Sequence, residues 1–122
     1  MLSRVKMDVI QLPLIRGKLL EILLDQILYI ESEEQLSLVH YQEDEILSSK
    51  YVNKSLGELE KEMLPFDFYR THKCCLVNVA KVKSYGKYPD TKLMLSGGLS
   101  VALSRRKKLE FHNVYLNYHN EI

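Results

Sequence analysis

The feature that most constrains this chain is its punctuation. Apolar runs are short and stop at turn residues, so few of them are long enough to make a helix. Leu36, Leu38 and His40 alternate with Ser37, Val39 and Tyr41, the two-residue period of a half-buried strand. Runs of similar length lie at 8–14 and 18–22 around Ile15-Arg16-Gly17, at 27–31, at 46–49, and at 92–95 and 99–103 around Ser96-Gly97-Gly98. Apolar segments that flank a glycine turn read as antiparallel hairpins. Pro13 has no amide hydrogen for a ladder, so the first strand is expected at an edge or to end early. Residues 23–26 read as a single turn, 32–35 and 42–45 as polar turns, and 86–90 as a loop.

Helical signals are few. Residues 55–64 carry the clearest one: Ser55 and Glu58 have capping-box spacing, Leu56, Leu59 and Met63 share a face with Leu64 beside them, and Pro65 stops the run. The acids on the outer face of that helix read as solvated. Residues 66–70 read as extended chain or a turn. Residues 71–77 are ambiguous, a short helix being one reading. Residues 79–85 read as a strand with Val79 and Val82 inward and Lys81 and Lys83 outward. Ser104 is placed to cap a last helix reaching about Tyr115. Four cations, Arg105-Arg106-Lys107-Lys108, would then stand in its first turns, against the helix dipole, and a bound anion would relieve them. At 122 residues the chain is read as one domain over 1–122, with a core at about 20–116, an N-terminal hairpin strand in 1–19 and a tail at 117–122.

Composition excludes several classes. No apolar run approaches the ~20 residues of a membrane span, and the first residues, Met1-Leu2-Ser3-Arg4-Val5-Lys6, lack the apolar run of a signal peptide. The two cysteines, Cys74 and Cys75, are neighbours and are not expected to bridge each other. A reduced, cytoplasmic protein is the expectation. His40, His72, His112 and His119 lack metal-ligand spacing. Cys74 or Cys75 with His72 is the sole nucleophile–base candidate, and closeness in sequence does not make a working pair. With no phosphate-binding glycine loop and no paired carboxylates, neither catalysis nor a cofactor is expected.

The formal net charge of +1 conceals blocks of opposite sign: +3 over residues 1–20, −9 over 21–67, +9 over 68–108 and −2 over 109–122. A cationic face on a small domain is the footprint expected for a polyanion, most often nucleic acid. The bland reading is that the two large blocks neutralise each other across the fold.

Four segments, taken in order, resemble the LytTR DNA-binding domain of bacterial transcription regulators. They are Asp25-Gln26-Ile27-Leu28-Tyr29-Ile30-Glu31, Leu56-Gly57-Glu58-Leu59, Phe68-Tyr69-Arg70-Thr71-His72-Lys73-Cys74-Cys75-Leu76-Val77-Asn78 and Leu99-Ser100-Val101-Ala102-Leu103-Ser104-Arg105, and they span about residues 20–110. The resemblance implies a mainly β fold of elongated antiparallel sheets with one or two short helices and no helix-turn-helix. It implies recognition of duplex DNA by loops entering successive major grooves at imperfect direct repeats, with homodimers on DNA and a receiver domain or partner regulator as further partners. Carried onto this sequence, it points to the loop after Glu31, to Lys73 after His72, and to Arg105. Arginine can grip guanine O6 and N7 with two hydrogen bonds, and lysine can donate to the same acceptors. Arg70, Lys81, Lys83, Arg106, Lys107 and Lys108 are expected to contact phosphate. His72 is a further candidate DNA contact, weighed against the commoner role of structural hydrogen-bonder, and Asn78 is expected as a turn or cap residue.

Two departures stand out. The loop after Glu31 is acidic, with Glu33 and Glu34: either it reads cytosine amino groups, or Gln35 and Ser37 make the contacts, or the loop binds poorly. Cys74 also stands where the family usually has serine. The competing reading is a protein-interaction module of the same fold that modulates a partner regulator without strong DNA binding.

Overall fold

In the computed structural model, which describes residues 8–63, 65–85 and 92–120, the short runs pair as antiparallel strands. β1 (Val9–Pro13) and β2 (Leu19–Leu23) form a two-stranded hairpin. Gly17 in its turn has φ +79°, a left-handed conformation that costs a residue without Cβ nothing. β1 ends at Pro13, whose carbonyl accepts from the Asn53 amide at 2.7 Å. A 3-10 turn, Leu24–Gln26, leads into the meander β3 (Ile27–Glu33), β4 (Leu36–Glu43) and β5 (Ile46–Val52). Asp44 and Glu45 between β4 and β5 have φ +48° and +65°, the left-handed pair of a type I′ hairpin.

α1 (Leu56–Met63) starts on the expected capping box. The Ser55 amide donates to Glu58 Oε1 at 3.0 Å, and the Glu58 amide donates to Ser55 Oγ at 3.2 Å. These bonds hold the Glu58 carboxyl below its usual range. Leu56, Leu59 and Met63 are buried. Leu64, the loop Gly86-Lys87-Tyr88-Pro89-Asp90 and the chain before Asp8 lie outside the described residues.

The rest of the chain departs from the sequence expectation in three places. Residues 71–77 do not form a short helix; β6 (Phe68–His72) and β7 (Cys75–Asn78) pair across a turn at Lys73-Cys74. β7 lies between β3 and β6 and is buried at all four positions, and a strand covered on both faces shows no alternation to read. The strand expected over 79–85 begins as a 3-10 turn, Val79–Lys81, because the Asn78 Oδ1 accepts from the Ala80 amide at 3.1 Å and caps it; β8 (Val82–Tyr85) follows. β9 (Lys92–Leu95) and β10 (Ser100–Ala102) then form the expected hairpin. Gly97 in its turn has φ +85°, and a Cβ there would stand 3.1 Å from Leu47 Cδ2. Finally, α2 (Lys108–Asn120) runs beyond Tyr115, and Arg105–Lys107 form a 3-10 turn ahead of it. Ser104 makes no side-chain cap; its carbonyl accepts from the Lys107 amide at 3.0 Å. Only Lys108 of the four cations therefore stands in the first turn of α2.

The strands build three layers. A five-stranded sheet in the order β5-β4-β3-β7-β6 is central. The β1–β2 hairpin and α1 bury Leu12, Ile22, Leu56, Leu59 and Met63 on one face, against Ile27, Ile30, Val39 and Leu76. The three-stranded sheet β10-β9-β8 and α2 bury Leu93, Leu95, Val101, Leu103 and Phe111 on the other, against Leu28, Cys75 and Val77. Leu12, Ile27, Ile30, Val39, Leu59 and Phe111 are 0% exposed, and burying each such side chain stabilises by about 1.5–3 kcal/mol. The fold is mainly β, with antiparallel sheets and, among the described residues, two helices separated by five strands and three 3-10 turns rather than joined as a helix-turn-helix. Among the same residues no helix is long and apolar enough to cross a membrane.

Candidate nucleic-acid interface

β3 and β7 run antiparallel with Glu31 opposite Cys75. The end of β3 and the start of β7 therefore share one end of the central sheet, and their turns lie side by side. The Ser32 amide donates to the Cys74 carbonyl at 3.0 Å, tying the β3–β4 turn to the β6–β7 turn. A third segment joins them: the Ser104 amide donates to the Thr71 carbonyl at 2.8 Å, so Arg105 begins beside β6. Three stretches far apart in sequence thus meet at one end of the molecule. Gln35, Lys73, Arg105 and Arg106 are exposed there, as are Glu33 and Glu34.

The β6–β7 turn is held from within. The Arg70 guanidinium donates to the His72 carbonyl at 3.3 Å, to the Lys73 carbonyl at 2.5 Å and to Glu60 Oε1 of α1 at 2.6 Å. Where the sequence suggests a phosphate contact, Arg70 thus directs two bonds onto its own turn and one onto α1. His72 Nδ1 accepts from the Cys74 amide at 3.3 Å. In the neutral ring the proton then sits on Nε2. Lys107 is also occupied: its Nζ donates to the Arg70 carbonyl at 2.7 Å and lies 5.6 Å from the centre of the Tyr69 ring.

The late cations do not act as one block. Lys81 follows the opposite end of β7 and pairs with Asp25 at 3.3 Å, so the acidic segment does neutralise part of the basic one. Lys83 is exposed on β8, and its carbonyl lies 3.5 Å from the Tyr115 hydroxyl of α2. Lys108 is half-buried. Ser37 faces the core with 0% exposure and its Oγ donates to the Lys54 carbonyl at 2.8 Å. It cannot serve as the contact suggested for the acidic loop, because in β4 the alternation turns Ser37, Val39 and Tyr41 inward. Lys92, not singled out in the sequence, is exposed and sits opposite Ala102, just before Arg105. The register of the Ser96–Gly98 hairpin is the signal that points to it. Glu60 was also missed, because a partner in another element leaves no mark on helix spacing.

Two buried-side groups complete the electrostatics. Burial, then the Glu110 carboxylate that its hydroxyl hydrogen-bonds, pushes the Tyr69 phenol well above its usual range. Burial pushes the Cys75 thiol up to about 11, whereas Cys74 is exposed in the turn. Among the described residues no group of three or more His, Cys, Asp or Glu side chains could hold a metal ion.

Comparison with known proteins gives this end a context. No curated protein matches the chain significantly. Among solved structures, the chain is similar to a LytTr DNA-binding domain of a putative methyl-accepting/DNA response regulator from Bacillus cereus. The two share 22% identity and a TM-score of 0.68 over 87% of this chain and 94% of that one; at this identity the likeness shows the fold. The family model of the LytTr DNA-binding domain matches residues 17–115, most of the chain. This protein belongs to the LytTR DNA-binding domain family.

Proposed function

We propose that this chain is the DNA-binding output domain of a transcription regulator, and that the end formed by the three joined turns reads duplex DNA sequence. The observation that carries this reading is the pair of backbone bonds, Ser104 to Thr71 and Ser32 to Cys74, that bring exposed Lys73, Arg105 and Gln35 to one surface. Lys73 and Arg105 read base edges in the major groove, with Gln35 beside them. Arg106, Lys108, Lys83 and Lys92 contact phosphate and set register. The partner is double-stranded DNA with imperfect direct repeats, bound by two copies in the cytoplasm of a bacterial cell. A receiver domain or a partner regulator supplies the input.

Selection of duplexes from a random pool tests this. The expected result is an enriched pair of repeats about one helical turn apart, with Lys73→Ala and Arg105→Ala each weakening binding to the enriched site by about 1–3 kcal/mol and relaxing preference at one position. Unchanged affinity in both variants would remove them from the interface.

A second reading keeps the fold and makes the same end a docking surface for a partner regulator. Glu33 and Glu34, exposed beside Gln35, favour it, because carboxylates repel phosphate. Salt separates the two: affinity for duplex DNA that falls steeply with salt supports phosphate contacts, while no binding at low salt supports docking.

A further inference from the structure

Resting on that reading, we propose that Arg70 is a positioning residue for it: anchored by Glu60 of α1, it sets the conformation of the turn that presents Lys73 and fixes the Arg105 segment against it. The two presenting segments have little internal support. The β6–β7 turn is two residues long, and the Arg105–Lys107 turn is a single 3-10 turn with no side-chain cap. Neither has the internal hydrogen bonds of a long helix to hold an exposed lysine or arginine at a fixed place.

Arg70 supplies what is missing to both. Its guanidinium grips two successive carbonyls of the turn, His72 and Lys73, at 3.3 and 2.5 Å. A planar group with donors in a fixed fork sets the angle of a turn as well as its distance. The third contact, to Glu60 Oε1 at 2.6 Å, anchors that fork to a helix whose face of Leu56, Leu59 and Met63 is packed in the core. The main-chain carbonyl of the same residue accepts the Lys107 Nζ at 2.7 Å. One residue is thus bonded to the base-reading turn through its side chain and to the arginine segment through its backbone. The Arg70 side chain is 23% exposed, and that of Glu60 39%, so the pair is wet enough to be replaced without opening the core.

The opposite assignment, a phosphate contact, predicts the opposite outcomes. Glu60→Gln removes a negative charge. If only charge mattered, DNA would bind more tightly; if Glu60 anchors the fork, sequence-specific affinity falls. Arg70→Gln is expected to lower affinity for the selected duplex about 10- to 100-fold, as loss of orientation at a reading site does. The slope of affinity against salt stays unchanged, and Arg70→Lys, which keeps the charge but not the fork, fails to restore binding. In a double-mutant cycle Lys73→Ala adds little on top of Arg70→Gln, because the misplaced lysine has already lost its contact.

The experiment is this set of affinities, measured on the full chain by fluorescence anisotropy at several salt concentrations, with a thermal melt of each variant to confirm folding. Tighter binding by Glu60→Gln, a slope reduced by about 0.9 in Arg70→Gln, and additivity with Lys73→Ala would overturn the inference and make Arg70 a phosphate contact. A wild-type chain that shows no binding at low salt overturns the DNA reading itself, and this inference with it. The two failures are therefore distinct. Should Arg70→Gln not fold, Glu60→Gln, on the outer side of α1, still decides the sign.

Discussion

The two ends of the central sheet use similar polar residues to opposite purposes. At the end near Leu24 the side chains bond inward. Asn78 Nδ2 donates to the Ile27 carbonyl at 2.8 Å and lies 3.4 Å from the Leu24 carbonyl, its Oδ1 caps the turn at Ala80, and Lys81 pairs with Asp25. At the end near Lys73 the backbone is fastened instead, through Ser32, Ser104 and the Arg70 fork, and the side chains of Lys73, Arg105 and Arg106 are left exposed. The lesson is that a cation's availability is decided by what anchors the chain around it. An end closed by its side chains is a fastener. An end closed by its backbone, with Arg70 and Lys107, leaves its other cations as a surface with donors still to give.

The largest effect expected from breaking this contrast is at Asn78. It is 3% exposed, and Asn78→Ala leaves buried carbonyls and an amide without partners, a loss of about 2–3 kcal/mol. Urea unfolding measures it; a loss under about 0.5 kcal/mol, no more than a surface substitution costs, would mean this end is held by packing alone.

The next effect compares single cations from the two ends. Arg106→Gln should lower the salt slope of DNA binding by about 0.9, one phosphate's worth, while Lys81→Gln leaves the slope unchanged and only modestly lowers stability. Equal slopes in both variants would erase the distinction between the ends.

A third test uses pH. The folded Cys75 thiol is held up to about 11, against 9.0 in an unfolded chain. Between those values the unfolded chain has released a proton that the folded one retains. Stability is then full below pH 9 and falls as pH rises toward 11. Unfolding free energy measured from pH 7.5 to 11 should fall in the wild type, and fall less steeply in Cys75→Ala. Below pH 9 an alkylating reagent should modify one cysteine, Cys74, in the folded protein.

The smallest effect is at the β4–β5 turn, where Asp44 and Glu45 both have positive φ. Replacing them with Asn and Gly, which adopt this conformation readily, should raise stability by about 1 kcal/mol without altering DNA affinity. A change in affinity would extend the reading surface to that turn.

Much of this was legible in the residues. Ser55 and Glu58 declared a helix start because a capping box is a local bond between neighbours. The glycines of the 96–98 turn declared a hairpin because left-handed backbone has few other tenants. β7 was not legible: burial on both faces removes the alternation by which strands are read. The partners of Arg70, Lys81 and Ser37 are not legible in the sequence for one reason. These partners, Glu60, Asp25 and the Lys54 carbonyl, lie 10 to 56 positions away in the chain, and nothing in local spacing records such a distance.

The sequence by itself determined the strand-rich class, the hairpins, the first helix and the resemblance to the LytTR family. Those features rest on periods and turn conformations that neighbouring residues enforce on each other. Only the tertiary structure decided which cations are free. The antiparallel pairing of β3 with β7 and the bond from Ser104 to Thr71 bring distant turns together, and a side chain's availability depends on what folding places within hydrogen-bond reach of it.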